Sequence, residues 1–104
     1  MKLRNLTLLV LATFVVSSEA AEFTVSQKDK AFSQASIDVA KGDTIHFKNE
    51  DPFFHNVYSL SDASTFDLGS YPQGESKSVT FEEVGEVEVE CAVHPSMTMK
   101  VNVK

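Results

Sequence analysis

The chemistry available to this 104-residue chain is concentrated in five side chains. Four lie in one short run, Cys91-Ala92-Val93-His94-Pro95-Ser96-Met97-Thr98-Met99; the fifth, His55, lies well upstream, after Pro52-Phe53-Phe54. A thiolate, two imidazoles and a thioether make a soft nitrogen–sulfur donor set. Two His and one Cys in a plane, with a weak axial Met, suit a copper ion that changes oxidation state. The Cys91 thiolate donates strongly and neutralises one charge. The imidazoles accept Cu(I) and Cu(II) alike, and the thioether suits Cu(I) while binding zinc poorly. A set that holds both states with little rearrangement gives a low barrier to one-electron transfer.

These ligands must be delivered by strands. In Glu86-Val87-Glu88-Val89-Glu90-Cys91 the two-residue period puts Val87, Val89 and Cys91 on one face and three glutamates on the other. The strand ends at Cys91, a tight loop around Pro95 reverses the chain, and Lys100 to Lys104 returns, so Cys, His and Met project from one end. His55 opens another strand and can reach that same end. Further alternation marks Phe23 and Val25, Ile37 and Val39, Ile45 and Phe47, and Val79 and Phe81, with Lys41-Gly42-Asp43 and Asn49-Glu50-Asp51-Pro52 as turns. On that pattern His46 faces solvent beside Lys48. Ser61 to Gly74 is polar and holds Gly69, Pro72 and Gly74, which predicts a long loop with one short strand; the sole hint of helix is a turn within Ser61–Phe66. Six to eight short strands define an all-β chain, an antiparallel sandwich or barrel.

Cys91-x-x-His94 followed by Met, with the upstream Pro52-x-x-His55-Asn56-Val57, resembles the plastocyanin/amicyanin group of cupredoxins. Lys41-Gly42-Asp43-Thr44-Ile45 and Val79-Thr80-Phe81…Gly85 match the same group, so the resemblance runs from about Ile37 to Lys104. It implies a Greek-key antiparallel β-sandwich, one copper ion cycling Cu(II)/Cu(I), and a small type 1 (blue) copper protein, not an enzyme, shuttling electrons between a redox-protein donor and acceptor. Two methionines compete for the axial position. Counting from Met97, Lys100, Val101 and Val103 fall where the family has Lys and two apolar residues; counting from Met99, the last of these falls beyond Lys104. Met97 is therefore the expected axial ligand and Met99 the alternative. The resemblance also makes Asn56 the residue tying the two ligand loops together. His94 becomes the ligand nearest the surface, with Pro95, Met99, Pro52 and Phe53 or Phe54 forming an apolar docking patch. The family often places an aromatic residue just before the Cys; this chain has Glu90 there, which leaves His94 as the expected electron route.

Lys2 and Arg4 precede an apolar run, Leu6 to Val16, and then Ser17-Ser18-Glu19-Ala20. The pattern predicts a secretory signal over residues 1–20. The run is too short for the ~20 apolar residues of a membrane anchor, so a single mature domain over 21–104 is expected in the periplasm, with no membrane insertion. Without Lys2, Arg4 and Glu19 that domain carries 7 basic and 14 acidic groups, which opposes nucleic-acid binding. One Cys cannot form an internal disulfide, and an exported free thiol is best explained by burial or ligation. Two other functions fit the residues less well. An exported copper-delivery protein would use the same ligands without redox turnover. A Cys91–His94 nucleophile pair would need an exposed thiol and an orienting partner. A monomer is expected.

Overall fold

The computed structural model describes residues 19–104; most of the expected signal segment lies outside the described residues. Nine strands follow in order: β1 (Glu22–Lys28), β2 (Ala31–Phe32), β3 (Ser36–Val39), β4 (Thr44–Asn49), β5 (His55–Ser61), β6 (Ser64–Tyr71), β7 (Ser76–Thr80), β8 (Gly85–Cys91) and β9 (Thr98–Val103). They form two sheets, in the orders β2-β1-β4-β7 and β3-β9-β8-β5-β6. The expected sandwich is present, but its sheets are mixed. β1 runs parallel to β4, and β3 parallel to β9. The chain leaves β2, crosses to the other sheet as β3, and returns as β4 beside β1 in the same direction. Among the described residues there is no helix long and apolar enough to cross a membrane.

Alternation dictates which side chains meet between the sheets. Val25, Ile45 and Phe47 of one sheet face Val57, Val87, Val89, Met99, Val101 and Val103 of the other, all fully or almost fully buried. Each such side chain is worth ~1.5–3 kcal/mol when taken out of water. Phe47 stacks on Phe66 at 6.4 Å and meets Phe32 edge-on at 6.4 Å, which ties the first sheet to both its hairpin and the opposite layer. His46 faces outward as expected and bonds Glu22 at 2.9 Å.

The segment read as a long loop is instead the eight-residue strand β6, joined to β5 by a two-residue turn at Asp62–Ala63 with Ser61 opposite Ser64. There is no helical turn in this segment. Its Phe66 and Leu68 are only half-buried, because β6 is an edge strand that buries Tyr71 fully but turns Thr65, Asp67 and Ser70 to water. Gly69, a loop signal in isolation, takes φ +69° where the β5–β6 register shifts. A left-handed glycine there lets the strand absorb a bulge and continue.

The core also holds a polar pair. Gln27, fully buried, donates from Nε2 to the Tyr71 hydroxyl at 2.6 Å. Burial pushes the Tyr71 phenol up to about 12; the Gln27 bond opposes this and charge on Cys91 adds to it. In the unfolded chain the phenol releases its proton near its ordinary 10.0. Stability is therefore insensitive to this group below about pH 10 and falls between about pH 10 and 12, by roughly 2–3 kcal/mol at 1.36 kcal/mol per pKa unit. Denaturant titrations across that range check this: the slope should be shallower in Tyr71→Phe than in the wild type.

Candidate metal centre

β8 carries Cys91 inward on its last residue, 1% exposed, and hydrogen bonds across the following loop hold its shape. The Cys91 amide donates to Met97 O at 3.2 Å, and the Met97 amide to His94 O at 2.9 Å. The Ala92 amide donates to Asn56 O at 2.9 Å, fastening this loop to the start of β5. His55, fully buried, is the first residue of β5. The ligand loop and His55 are thus adjacent because β8 and β5 pair, with Cys91 opposite Val57.

The donor atoms of His55, Cys91 and His94 all lie within 4.8 Å of one another. Cys91 Sγ is 3.5 Å from His55 Nδ1 and 4.0 Å from His94 Nδ1. An ion at ~2.3 Å from sulfur and ~2.0–2.1 Å from nitrogen, in a trigonal plane, separates its donors by about 3.7 Å. The two distances bracket that value, and the sulfur–nitrogen chemistry is that of copper, so these residues fit the ion. Met97 is 2% exposed, in the loop itself and outside the apolar core cluster. Met99 is equally buried but is a member of that cluster, alternating inward with Val101 and Val103 along β9. It therefore takes no part in an exposed patch around His94, contrary to the expectation for that residue.

His94 is half-buried, whereas His55 is enclosed. Phe53 packs its ring 5.2 Å from the imidazole centroids of both histidines, which are themselves 5.2 Å apart. Val93 and Pro95, which flank His94 in the chain, are exposed, as are Pro52 and Phe54, which flank Phe53; Phe54 is 56% exposed and Val93 54%. Asn56 contributes its main-chain carbonyl to the loop contact, while its side-chain Oδ1 is buried with no protein partner.

Sequence reasoning missed Asp51. This carboxylate is 3% exposed, and its Oδ2 lies 2.7 Å from His55 Nε2. Burial alone would raise its pKa. The hydrogen bond from His55, those from the Lys30 and Asp29 amides, and charge on His55 outweigh that and hold the carboxyl below its ordinary value. A carboxylate only accepts, so His55 carries a proton on Nε2, and Nδ1 is the atom turned toward Cys91. The signal was present as an acid four residues before a histidine, but Asn49-Glu50-Asp51-Pro52 also reads as an ordinary solvated turn.

A mixed β-sandwich with a His–Cys–His cluster at one end defines a copper-site fold, and residues 19–104 match the model of the copper binding proteins, plastocyanin/azurin family. The chain belongs to that family. It is 28% identical over 94 residues to the methylamine utilization protein MauL of Methylorubrum extorquens, covering 89% of this chain and 82% of that one. Among solved structures it superposes on a Cu(I) form of an amicyanin variant with a TM-score of 0.75, at 23% identity, over 85% of this chain and 87% of amicyanin. A purple cupredoxin from Nitrosopumilus maritimus matches with a TM-score of 0.69 at 20% identity, over 83% of this chain and all of that one. A copper-containing nitrite reductase from Thermus scotoductus matches at 0.74 and 24% identity over 80% of this chain, but the chain spans only 22% of that enzyme.

Proposed function

We propose that this chain is a type 1 copper protein that carries single electrons between larger redox proteins, with His55, Cys91, His94 and Met97 holding the ion. The carrying observation is the convergence of one thiol and two imidazole nitrogens within 4.8 Å at one end of the sandwich. Copper bound there supplies a centre that gains and loses one electron. Cys91 gives that centre a strong, charge-neutralising donor, and its burial keeps the sulfur from oxidants in solvent. His55 is held by Asp51 and offers Nδ1. Met97 would supply a weak thioether donor from a loop already closed by its own hydrogen bonds, while Met99 serves the core.

The exposed edge of His94 is the short route in and out. Phe54 and Pro95, with half-buried Phe53 behind them, form the apolar ground on which a partner docks, and Asn56 joins the two ligand segments. The outward glutamates of β8 and a mature charge of −7 suit a partner with a basic surface. This reading has no substrate pocket and no role for a nucleophile: Cys91 is enclosed, whereas a reactive thiolate needs access. It includes export to the periplasm, removal of residues 1–20, and a monomeric mature domain over 21–104.

Adding one equivalent of Cu(II) to the purified protein tests the reading. The expected result is an intensely blue protein, with the narrow EPR hyperfine splitting of a thiolate-bound Cu(II), that is reduced and reoxidised reversibly. A colourless protein that retains only Cu(I) would favour copper delivery, and no stoichiometric binding would overturn both.

A further inference from the structure

The two-residue turn between β1 and β2, Asp29–Lys30, is built from non-glycine residues that both take left-handed backbone conformations, with φ +53° and +58°. A left-handed conformation is strained for an ordinary side chain, and in such hairpin turns Asn or Asp followed by Gly is the favoured pair. Lys30 is thus an awkward choice for its position, and its compensation is specific. The Asp29 amide donates to Asp51 Oδ1 at 2.7 Å and the Lys30 amide to Asp51 Oδ2 at 3.1 Å. The same carboxylate receives His55 Nε2–H at 2.7 Å. Asp51 is itself pinned, since its amide donates to Asn49 Oδ1 at 2.8 Å while Asn49 Nδ2 donates to Phe53 O and Tyr71 O. The turn reaches the site a second time: Lys30 Nζ lies 5.8 Å from the centroid of the Phe53 ring that packs on both imidazoles.

We propose that Asp51 is a positioning residue that makes the Asp29–Lys30 turn part of the metal centre, by gripping both turn amides while fixing the orientation, tautomer and charge environment of His55. This builds on the copper reading above, but its first test needs no copper. A carboxylate hydrogen-bonded to the far nitrogen of a ligand imidazole increases ligand basicity and favours the more highly charged ion. The two turn amides take up part of that carboxylate's charge. The turn thereby moderates how strongly Asp51 acts on the centre, although it touches no ligand directly.

Nitrogen-15 NMR of the metal-free protein should find His55 in the Nε2–H form; a dominant Nδ1–H form would overturn the proposal. In Asp51→Ala the tautomer preference should weaken, and the amides of Asp29 and Lys30 should exchange with solvent at least tenfold faster. Unchanged exchange at both would overturn the link to the turn. In copper-loaded protein, Asp51→Asn removes the charge but keeps a polar side chain, so the reduction potential should rise with the blue spectrum retained, and Asp51→Glu should restore part of the difference. A folded Asp51→Asn with an unaltered potential would overturn the electrostatic role. If the wild type binds no copper, the ligand assignment fails, while the tautomer and exchange measurements still decide what Asp51 does. If Asp51→Ala does not fold, the wild-type tautomer and the Asn and Glu variants still decide it.

Discussion

Replacing Cys91 by Ser should abolish the blue colour and remove most of the copper-dependent rise in melting temperature. The hydroxyl of serine stays protonated at neutral pH, so the buried position loses the anionic donor on which the two histidine nitrogens converge at 3.5 and 4.0 Å. An ion bound to the native chain alone stabilises it by mass action. At free copper about a thousandfold above its Kd this is ~4 kcal/mol, less whatever the unfolded chain binds. In a domain of this size each kcal/mol moves Tm by roughly 4–8 °C, so the increment should exceed about 10 °C in the wild type and nearly vanish in the variant. Calorimetry with and without copper reads both. The metal-free melting temperatures should differ far less, because Ser is close to Cys in volume and only the sulfur's apolar contacts are lost.

The two methionines give the second large effect, in opposite directions. Met99→Ala opens a cavity among Val89, Val101 and the other members of the core cluster and should cost ~2–5 kcal/mol of folding stability. Its spectrum and potential should remain close to wild type. Met97→Leu keeps the volume and should cost under ~1.5 kcal/mol in the metal-free protein, yet it removes the thioether, which should raise the reduction potential and alter the spectrum. Chemical denaturation and voltammetry of the two variants side by side separate a core residue from a ligand. The reverse pattern would transfer the axial role to Met99.

Much of the His55, Cys91 and His94 arrangement is legible in the sequence, and the reasons are local. The alternation of Val87, Val89 and Cys91 is a direct imprint of the strand pleat, so it placed the thiol inside. The short spacing from Cys91 to His94 confines both to one loop end. His55 following Pro52-Phe53-Phe54 placed a strand start, which is where β5 begins. What escaped notice depends on contacts between distant segments. Asp51 gains its meaning from turn amides 21 and 22 residues away, and Gln27 from a tyrosine 44 residues away. β6 was hidden because an edge strand need bury little: its Gly69 and Ser70 read as loop, and only the pairing of Asn56 with Ser70 and Tyr58 with Asp67 shows them to be sheet. The parallel pairings were equally invisible, since period-two patterning reports faces and carries no information about direction.

The pairing of β3 with β9 has a consequence for when metal can enter. Ile37 and Val39 pair along the sheet with Val101 and Val103, and the Lys104 amide hydrogen-bonds back to Val39 O. β9 also closes the loop bearing His94 and Met97, so the cage cannot exist until that last strand has docked. If the chain is exported, as the function proposed above has it, and travels unfolded, it would be metal-blind in transit. It would select its ion from whatever the far compartment supplies at the moment of closure, and the place of folding, more than the ligands' raw affinity order, would govern which element is captured.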